Sequence, residues 1–287
     1  MKKNANMKIR RRITNTAIYI LLAVMSVIWL IPIAYLVITS FRKEPGAWLD
    51  GYVMPHAYTF DNYTKLFTDT SLFNFPQWFL NTLFVAVFAC LISTIFVLFT
   101  AYAFSRLRFK MRRPLMNVAM VMGMFPGFMS MIAVYNIVKL IGLSQTLTAL
   151  IIIYSFGAGL GYYITKGFFD TIPRALDEAA YLDGATRWQT FYRVTLPMSR
   201  PIITYTVLTA FIAPWVDFIM SSVIMKDKYN SFTVALGLFR MLERENLSAW
   251  YTSFCAGAVL VSIPIAVLFI LMQNNYVEGV TGGAVKG

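Results

Sequence analysis

Charged side chains are scarce in this chain of 287 residues. Asp, Glu, Lys and Arg together make up 13% of the sequence, whereas hydrophobic residues make up 58%. Ordinary soluble domains carry about 25% charged residues, so this composition excludes such a domain. We therefore expect an all-α membrane protein. We also expect a single transmembrane domain over residues 1–287, because the composition marks no second domain.

Histidine and cysteine are also rare, which limits the chemistry that the chain can perform. His56 is the only histidine, so the sequence excludes histidine-based zinc sites and Ser-His-Asp triads. Cys90 and Cys255 lie inside long apolar stretches, where we expect buried packing residues instead of a disulfide framework. The P-loop pattern G-x-x-x-x-G-K-[ST] does not occur. We expect no catalytic residue, no metal and no cofactor.

The net charge of +12 raises the question of a nucleic-acid partner. The Lys and Arg residues gather in a few short connections and form no basic face with interleaved aromatic residues. Positive charges in short connections mark the cytoplasmic side of a membrane protein. We therefore expect contact with membrane lipid and no nucleic-acid partner.

Six charge-poor stretches are long enough to cross a bilayer, which takes about 20 apolar residues. The first has no small-residue cleavage site and is too long for a signal peptide, so we expect a retained helix. The predicted spans are 15–39, 79–104, 114–134, 145–165, 202–225 and 252–275.

The distribution of Lys and Arg orients these spans. The connections before span one, between spans two and three, and between spans four and five carry sixteen of them, against eight in the alternate connections. The positive-inside rule then predicts that both termini and the loop 166–200 lie in the cytoplasm.

One motif lies in that cytoplasmic loop. Residues 178–197 follow the pattern EAA-x₃-G-x₉-[IV]-x-L-P. This pattern resembles that of the membrane subunits of bacterial ABC importers, and the resemblance implies the type I permease fold. It also implies a short helix that docks on a separate ATP-hydrolysing subunit. The coupling residues that it implies are Glu178, Ala179, Ala180, Asp183, Gly184, Leu196 and Pro197.

Local signals in the loop predict a helix–turn–helix. Pro173 suits the first turn of a helix, and Asp177 and Glu178 favour its positive end. Gly184 can take the left-handed conformation that ends the helix. Thr186-Arg-Trp-Gln189 fits a capping box for a second helix. Such a lever suits the transfer of force from the ATPase to spans four and five. The alternative is a turn that merely links them.

The C-terminal segment 276–287 holds four glycines in twelve residues, which favours a frayed tail and not a helix. It is also similar to the Gly-rich tail of the maltose-type members of the family. That resemblance implies insertion between the two ATPase subunits through Gly282, Gly283 and Lys286.

Asp217 is the only charged residue inside a predicted span, and such residues face the bundle interior or water. It follows Pro214-Trp215-Val216, and sugar permeases of the family often carry W-x-D-F at this place. The sequence leaves two roles open, a lining residue of the solute path and a structural hydrogen bond between helices. Tyr162 and Tyr163 could stack on a sugar ring, but aromatic residues are common in this chain.

The resemblance extends over the whole chain and is closest to permeases of carbohydrate importers of the maltose/maltodextrin type. It implies a heterodimer with a second permease, a cytoplasmic ATPase dimer, an extracellular sugar-binding protein and the bacterial cell (cytoplasmic) membrane. The mechanism implied is alternating access. The alternative is a self-contained secondary carrier or channel, which generally needs several intramembrane charges or inverted repeats. A membrane enzyme would need a catalytic constellation that the sequence lacks.

Overall fold

The computed structural model describes residues 2–46, 54–125, 127–157 and 161–284. These ranges contain helices and connections, and their only β-type pairing is an isolated bridge between Arg42 and Tyr58. The all-α prediction is confirmed. The helices, in chain order, are α1 Lys2–Ser40, α2 Asp61–Thr68, α3 Phe75–Arg106, α4 Arg112–Gly123, α5 Gly127–Leu140, α6 Leu147–Phe156, α7 Gly161–Thr171, α8 Arg174–Leu182, α9 Arg187–Thr190, α10 Leu196–Met198, α11 Arg200–Val216, α12 Ile219–Met225, α13 Val234–Met241 and α14 Leu247–Ala284.

Several of these helices can cross a membrane. Among the described residues, four stretches are long and apolar enough, and a fifth qualifies if the bent pair Arg187–Met198 and Arg200–Val216 is one span. The four are Arg11–Ser40, Phe75–Arg106, Leu147–Thr171 and Leu247–Asn274. They correspond to predicted spans one, two, four and six. The count of six spans and the side of the termini stay predictions.

Predicted spans three and five are each divided into two helices. In place of 114–134 the structure has α4 and α5, with Pro126 in the sequence between them. Proline lacks the backbone N–H and disfavours a helical residue before it. In place of 202–225 it has α11 and α12, because Asp217 is extended (φ −87°, ψ 102°) three residues after Pro214.

The C-terminal segment differs from the expectation. Helix α14 continues to Ala284, so residues 276–284 are helical and the expected non-helical tail is wrong there. A formed helix adds residues by propagation alone, and each glycine costs only about 1 kcal/mol. Gly282 and Gly283 belong to this helix, and Lys286 lies outside the described residues.

The chain forms two compact units. The first consists of the described residues up to Thr68 together with Met241–Val259. Asn62 organises it: its side-chain amide donates to the carbonyls of Ser40 (2.9 Å) and Arg42 (2.7 Å) and accepts from the Thr252 hydroxyl (2.8 Å). The apolar side chains along α1 are largely exposed, as expected for a helix that faces lipid or another subunit.

The second unit consists of Asp69–Arg240 and the described residues from Leu260 on, and α3 is its central helix. Asn74 caps α3 by accepting the Gln77 N–H (3.2 Å), and Pro76 occupies its first turn. Helices α6, α7 and α11 pack against it. Near its C-terminal end lies a buried core of Leu98, Ala101, Tyr102, Phe169, Ile172, Phe191 and Ile202.

The N-terminal end of α3 holds the irregular segment 229–234. Trp78 Nε1 donates to the Tyr229 carbonyl (3.0 Å), and Asn81 Nδ2 donates to those of Asn230 (2.8 Å) and Phe232 (3.0 Å). These bonds satisfy carbonyls that a helix ladder would otherwise satisfy. A Cβ on Gly237 would lie 1.9 Å from the Trp78 ring, so this close approach requires glycine.

Candidate coupling segment and membrane cavity

Helix α8 begins directly after Pro173 and ends in the turn that Gly184 makes possible. Asp183 is its C-cap, and Gly184 has φ +81°. The N–H of Gly184 donates to the Tyr181 carbonyl (3.0 Å) and that of Ala185 to the Ala180 carbonyl (2.9 Å). This pair of bonds is a Schellman motif, which satisfies the last carbonyls of the helix.

The second half of the segment begins with the predicted capping box. The Gln189 N–H donates to Thr186 Oγ1 (3.2 Å), and the Thr186 N–H donates to Gln189 Oε1 (2.7 Å). The following helix widens into a π-helical turn, Phe191–Thr195, just before Pro197. The predicted helix–turn–helix over 174–198 is therefore present, and we call it the coupling segment.

The coupling segment presents one exposed surface. Glu178, Ala179, Asp183 and Gly184 are exposed and Ala180 is half-buried. Leu182, at the end of α8, is 90% exposed. Five of the seven predicted coupling residues thus lie along α8 and its turn. Of the other two, Leu196 packs against the core around Phe191, and Pro197 is exposed.

The buried surface of the coupling segment attaches to the end of α3. Arg106 Nε lies 3.0 Å from Asp177 Oδ2, and both side chains are buried. Arg106 Nη2 also donates to the Ile172 carbonyl (2.9 Å), and the Tyr102 hydroxyl donates to the Arg187 carbonyl (3.2 Å). Sequence reasoning assigned Asp177 only to the helix dipole and did not detect these contacts.

A cavity of about 320 Å³ lies within the second unit and includes Asp217. Asp217 Oδ2 accepts the Tyr154 hydroxyl (3.2 Å), and Oδ1 accepts the Met220 N–H (2.9 Å). Asp217 thus bonds to another helix and also lines the cavity. Its place on the solute path stays a prediction. The lining residues are Ser93, Val97, Ile153, Tyr154, Gly157, Gly161, Tyr205, Thr206, Thr209, Ala210, Ala213, Asp217 and Met220.

The structure does not bring the two predicted tyrosines to Asp217. Tyr162 lines a second cavity of about 460 Å³, together with Phe96, Ser155 and Phe156. Tyr163 is not among the described lining residues of either cavity and packs edge-on against Tyr162, with centroids 6.0 Å apart. Tyr154, whose hydroxyl bonds to Asp217, carries no local signal by which the sequence analysis could have found it.

The structure thus combines apolar helices of membrane length, a mainly apolar cavity with several hydroxyl groups, and an exposed helix–turn–helix. This combination suits the membrane subunit of a transporter. The chain belongs to the family of binding-protein-dependent transport system inner membrane components, whose family model matches residues 98–280. It is a multi-pass membrane protein and the permease subunit of an ABC importer, in which a separate ATPase hydrolyses ATP. The resemblance stated from the sequence is confirmed.

Individual relatives cover the whole chain. It is 37% identical to the galactooligosaccharides transport system permease protein GanQ of Bacillus subtilis, over 99% of each chain. It is 32% identical to the maltodextrin transport system permease protein MalD of Streptococcus pneumoniae, over 99% of this chain and 100% of that one. A crystal structure of a bacterial ABC transporter involved in alginate import shares the fold, with a TM-score of 0.73 and 22% identity over 92% of this chain and 96% of that chain.

Proposed function

We propose that this permease moves a neutral oligosaccharide, of the maltodextrin or galactooligosaccharide kind, into the cell across the bacterial cytoplasmic membrane. The cavity at Asp217 is the observation that carries the proposal. Its volume is within the range of small-molecule sites, about 300–1,000 Å³. The printed names of the full-length relatives support the same substrate class.

The lining of the cavity favours an uncharged sugar. Asp217 offers a carboxylate, and Tyr154, Tyr205, Thr206 and Thr209 offer hydroxyls. The described lining residues include no Lys or Arg. A carboxylate accepts hydrogen bonds from sugar hydroxyls, but it repels a uronic acid in surroundings of low dielectric constant. Selection against acidic sugars is thus part of the proposed role of Asp217.

The exposed surface of α8 is the proposed docking site for the ATPase. Ala179 and Ala180 have short side chains that let a partner approach closely, and Glu178 supplies a charge beside them. Leu182, which is 90% exposed, would add an apolar contact to the same surface. Closure of an ATPase dimer on ATP would pull this surface, and α7 and α11, which adjoin the coupling segment, would follow. Because both helices line the cavity, their movement would open the cavity first to one side of the membrane and then to the other.

The remaining partners belong to the same proposal. They are a second, different permease that completes the membrane pathway, two copies of the ATPase, and an external sugar-binding protein. The C-terminal residues Gly282, Gly283 and Lys286 are proposed to insert between the two ATPase subunits. A self-contained carrier or channel has lost its support, because the family depends on a binding protein.

Uptake measurements test the substrate class. A strain lacking this gene is compared with the same strain after the gene is restored, using labelled maltotriose, galactotriose and trigalacturonate. We expect restored uptake of at least one neutral trisaccharide and none of the acidic one. Uptake of trigalacturonate alone would overturn the proposal of a neutral sugar. Uptake that is independent of ATP would overturn the proposed mechanism.

A further inference from the structure

A buried ion pair joins the last residue of α3 to the coupling helix α8. Arg106 Nε and Asp177 Oδ2 are 3.0 Å apart, and their side chains are 4% and 8% exposed. Neighbouring Glu178, about 100° further around α8, is exposed. The two adjacent carboxylates therefore face different partners, Asp177 facing α3 and Glu178 the surroundings of the protein.

Further contacts bind the rest of this region to the same end of α3. Ser105 Oγ donates to Asp170 Oδ1 (2.6 Å), which fixes the end of α7. The Tyr102 hydroxyl reaches the Arg187 carbonyl (3.2 Å) in the second half of the coupling segment. Its ring packs against Phe191, with centroids 4.6 Å apart. Both halves of the coupling segment thus rest on the last turns of α3.

Helix α3 extends from this attachment past the cavity. It has 32 residues, which is about 48 Å at 1.5 Å per residue. Ser93 and Val97, in its middle, line the cavity at Asp217. Trp78 and Asn81, near its other end, hold the segment 229–234. A single helix therefore connects the coupling segment, the cavity wall and the distant segment.

The ion pair is poorly suited to a purely stabilising role. Two charges must leave water to form it, and a well-packed apolar pair is commonly as stable or more stable. Asp177 Oδ1 is buried and has no hydrogen-bond partner among the described residues. A buried carboxylate with one oxygen unsatisfied is costly and calls for another explanation.

We propose that Arg106 and Asp177 are positioning residues that transmit the movement of α8 to α3. This inference rests on the proposed docking of the ATPase on α8. When the coupling segment moves, the ion pair makes α3 move with it, and the cavity wall at Ser93 and Val97 moves in turn. Through the Arg106–Asp177 contact, α3 then moves when the ATPase moves, as α7 and α11 do.

The neighbouring carboxylates provide a matched test in the complete importer, reconstituted in liposomes with its ATPase and binding protein. We expect Asp177→Asn to assemble with the ATPase and to hydrolyse ATP while importing less sugar per ATP, by about fivefold or more, as allosteric couplings commonly give. Glu178→Gln should weaken association with the ATPase. The rates of ATP hydrolysis and of sugar import should then fall together, and the amount of sugar imported per ATP should stay unchanged. An unchanged ratio for assembled Asp177→Asn would overturn the inference.

A second variant covers the case in which Asp177→Asn does not assemble. Arg106→Cys and Asp177→Cys are combined and joined by a bifunctional thiol reagent about as long as an arginine side chain. We expect a low sugar-to-ATP ratio before linkage and recovery after it, with no recovery for either single variant. Failure of linkage to change the ratio would overturn the inference. Absence of sugar-stimulated ATP hydrolysis in the unaltered importer would instead contradict the proposed function.

Discussion

The Tyr154 hydroxyl donates a hydrogen bond of 3.2 Å to Asp217 Oδ2, and both residues line the same cavity. The bond joins α6 to the break between α11 and α12. A carboxylate has more than one acceptor site, so Asp217 can hold Tyr154 and still accept a hydrogen bond from a ligand. The residue that fixes the local structure is thus also available to recognise a sugar.

Asp217→Asn should assemble normally and raise the sugar concentration for half-maximal uptake. Asparagine has nearly the same shape and still accepts from Tyr154. Loss of one hydrogen bond to a charged group costs roughly 1.5–3 kcal/mol, which is about 10- to 150-fold. Ser222→Ala is the control, since that hydroxyl bonds to Ile219 of its own helix and does not line the cavity. An unchanged half-maximal concentration with less protein in the membrane would assign Asp217 a structural role only.

Gly184→Pro should insert into the membrane but abolish uptake and association with the ATPase. Proline fixes φ near −65°, whereas Gly184 has φ +81° and donates its N–H to Tyr181. Pull-down of the ATPase and sugar uptake measure the effect. Gly167→Ala serves as control because a Cβ there meets nothing within 4 Å. Undiminished association of the proline variant would contradict the role of the turn.

Gly237→Ala should lower thermal stability, because the new methyl group would overlap the Trp78 ring at 1.9 Å. Overpacking of this kind typically costs about 1–3 kcal/mol. The unfolding temperature of the purified protein in detergent measures this loss of stability. Gly127→Ala has open space and should not change that temperature. Equal temperatures for both variants would show that the contact between α13 and α3 yields easily.

Acid should loosen the connection after α1, where Glu44 is hydrogen-bonded. The pKa of Glu44 is lowered by its own backbone N–H and by those of His56 and Ala57, against the effect of burial. A lowered pKa contributes stability above the unfolded pKa of about 4.3, and the contribution is lost as pH falls through the folded value. Hydrogen exchange at His56 and Ala57, corrected for intrinsic rates, should therefore rise at low pH. In Glu44→Gln that rise should be absent.

Deletion of residues 279–287 should leave membrane insertion unchanged, because it removes no membrane span. If the tail docks between the ATPase subunits, the truncated importer should assemble but transport poorly, and its ATP hydrolysis should no longer follow sugar supply. ATPase activity in liposomes with and without sugar-loaded binding protein measures this coupling. Equal stimulation of the truncated and intact importers would end the docking proposal.

Local signals in the sequence predicted local structure well. The turn at Gly184 and the capping box of Thr186 and Gln189 depend on residues within a few positions, and both are present. Contacts between distant residues were not predictable in this way. Tyr154 and Asp217 are 63 positions apart, and Arg106 meets Asp177 only because α3 ends where α8 begins. Hydropathy located most spans, and prolines were expected to break four of them. Spans three and five are divided near Pro126 and Pro214, whereas Pro32 and Pro264 lie inside the continuous helices α1 and α14, so the expected breaks there are wrong.

The bend at Ser199 determines what a pull on the coupling segment does to α11. The arms Arg187–Met198 and Arg200–Val216 meet at 82°. At nearly a right angle, a displacement along the first arm has almost no component along the second. If the ATPase pulls along the first arm, as proposed, α11 would swing sideways and would not slide along its own axis. The wall of the cavity that carries Asp217 would then tilt.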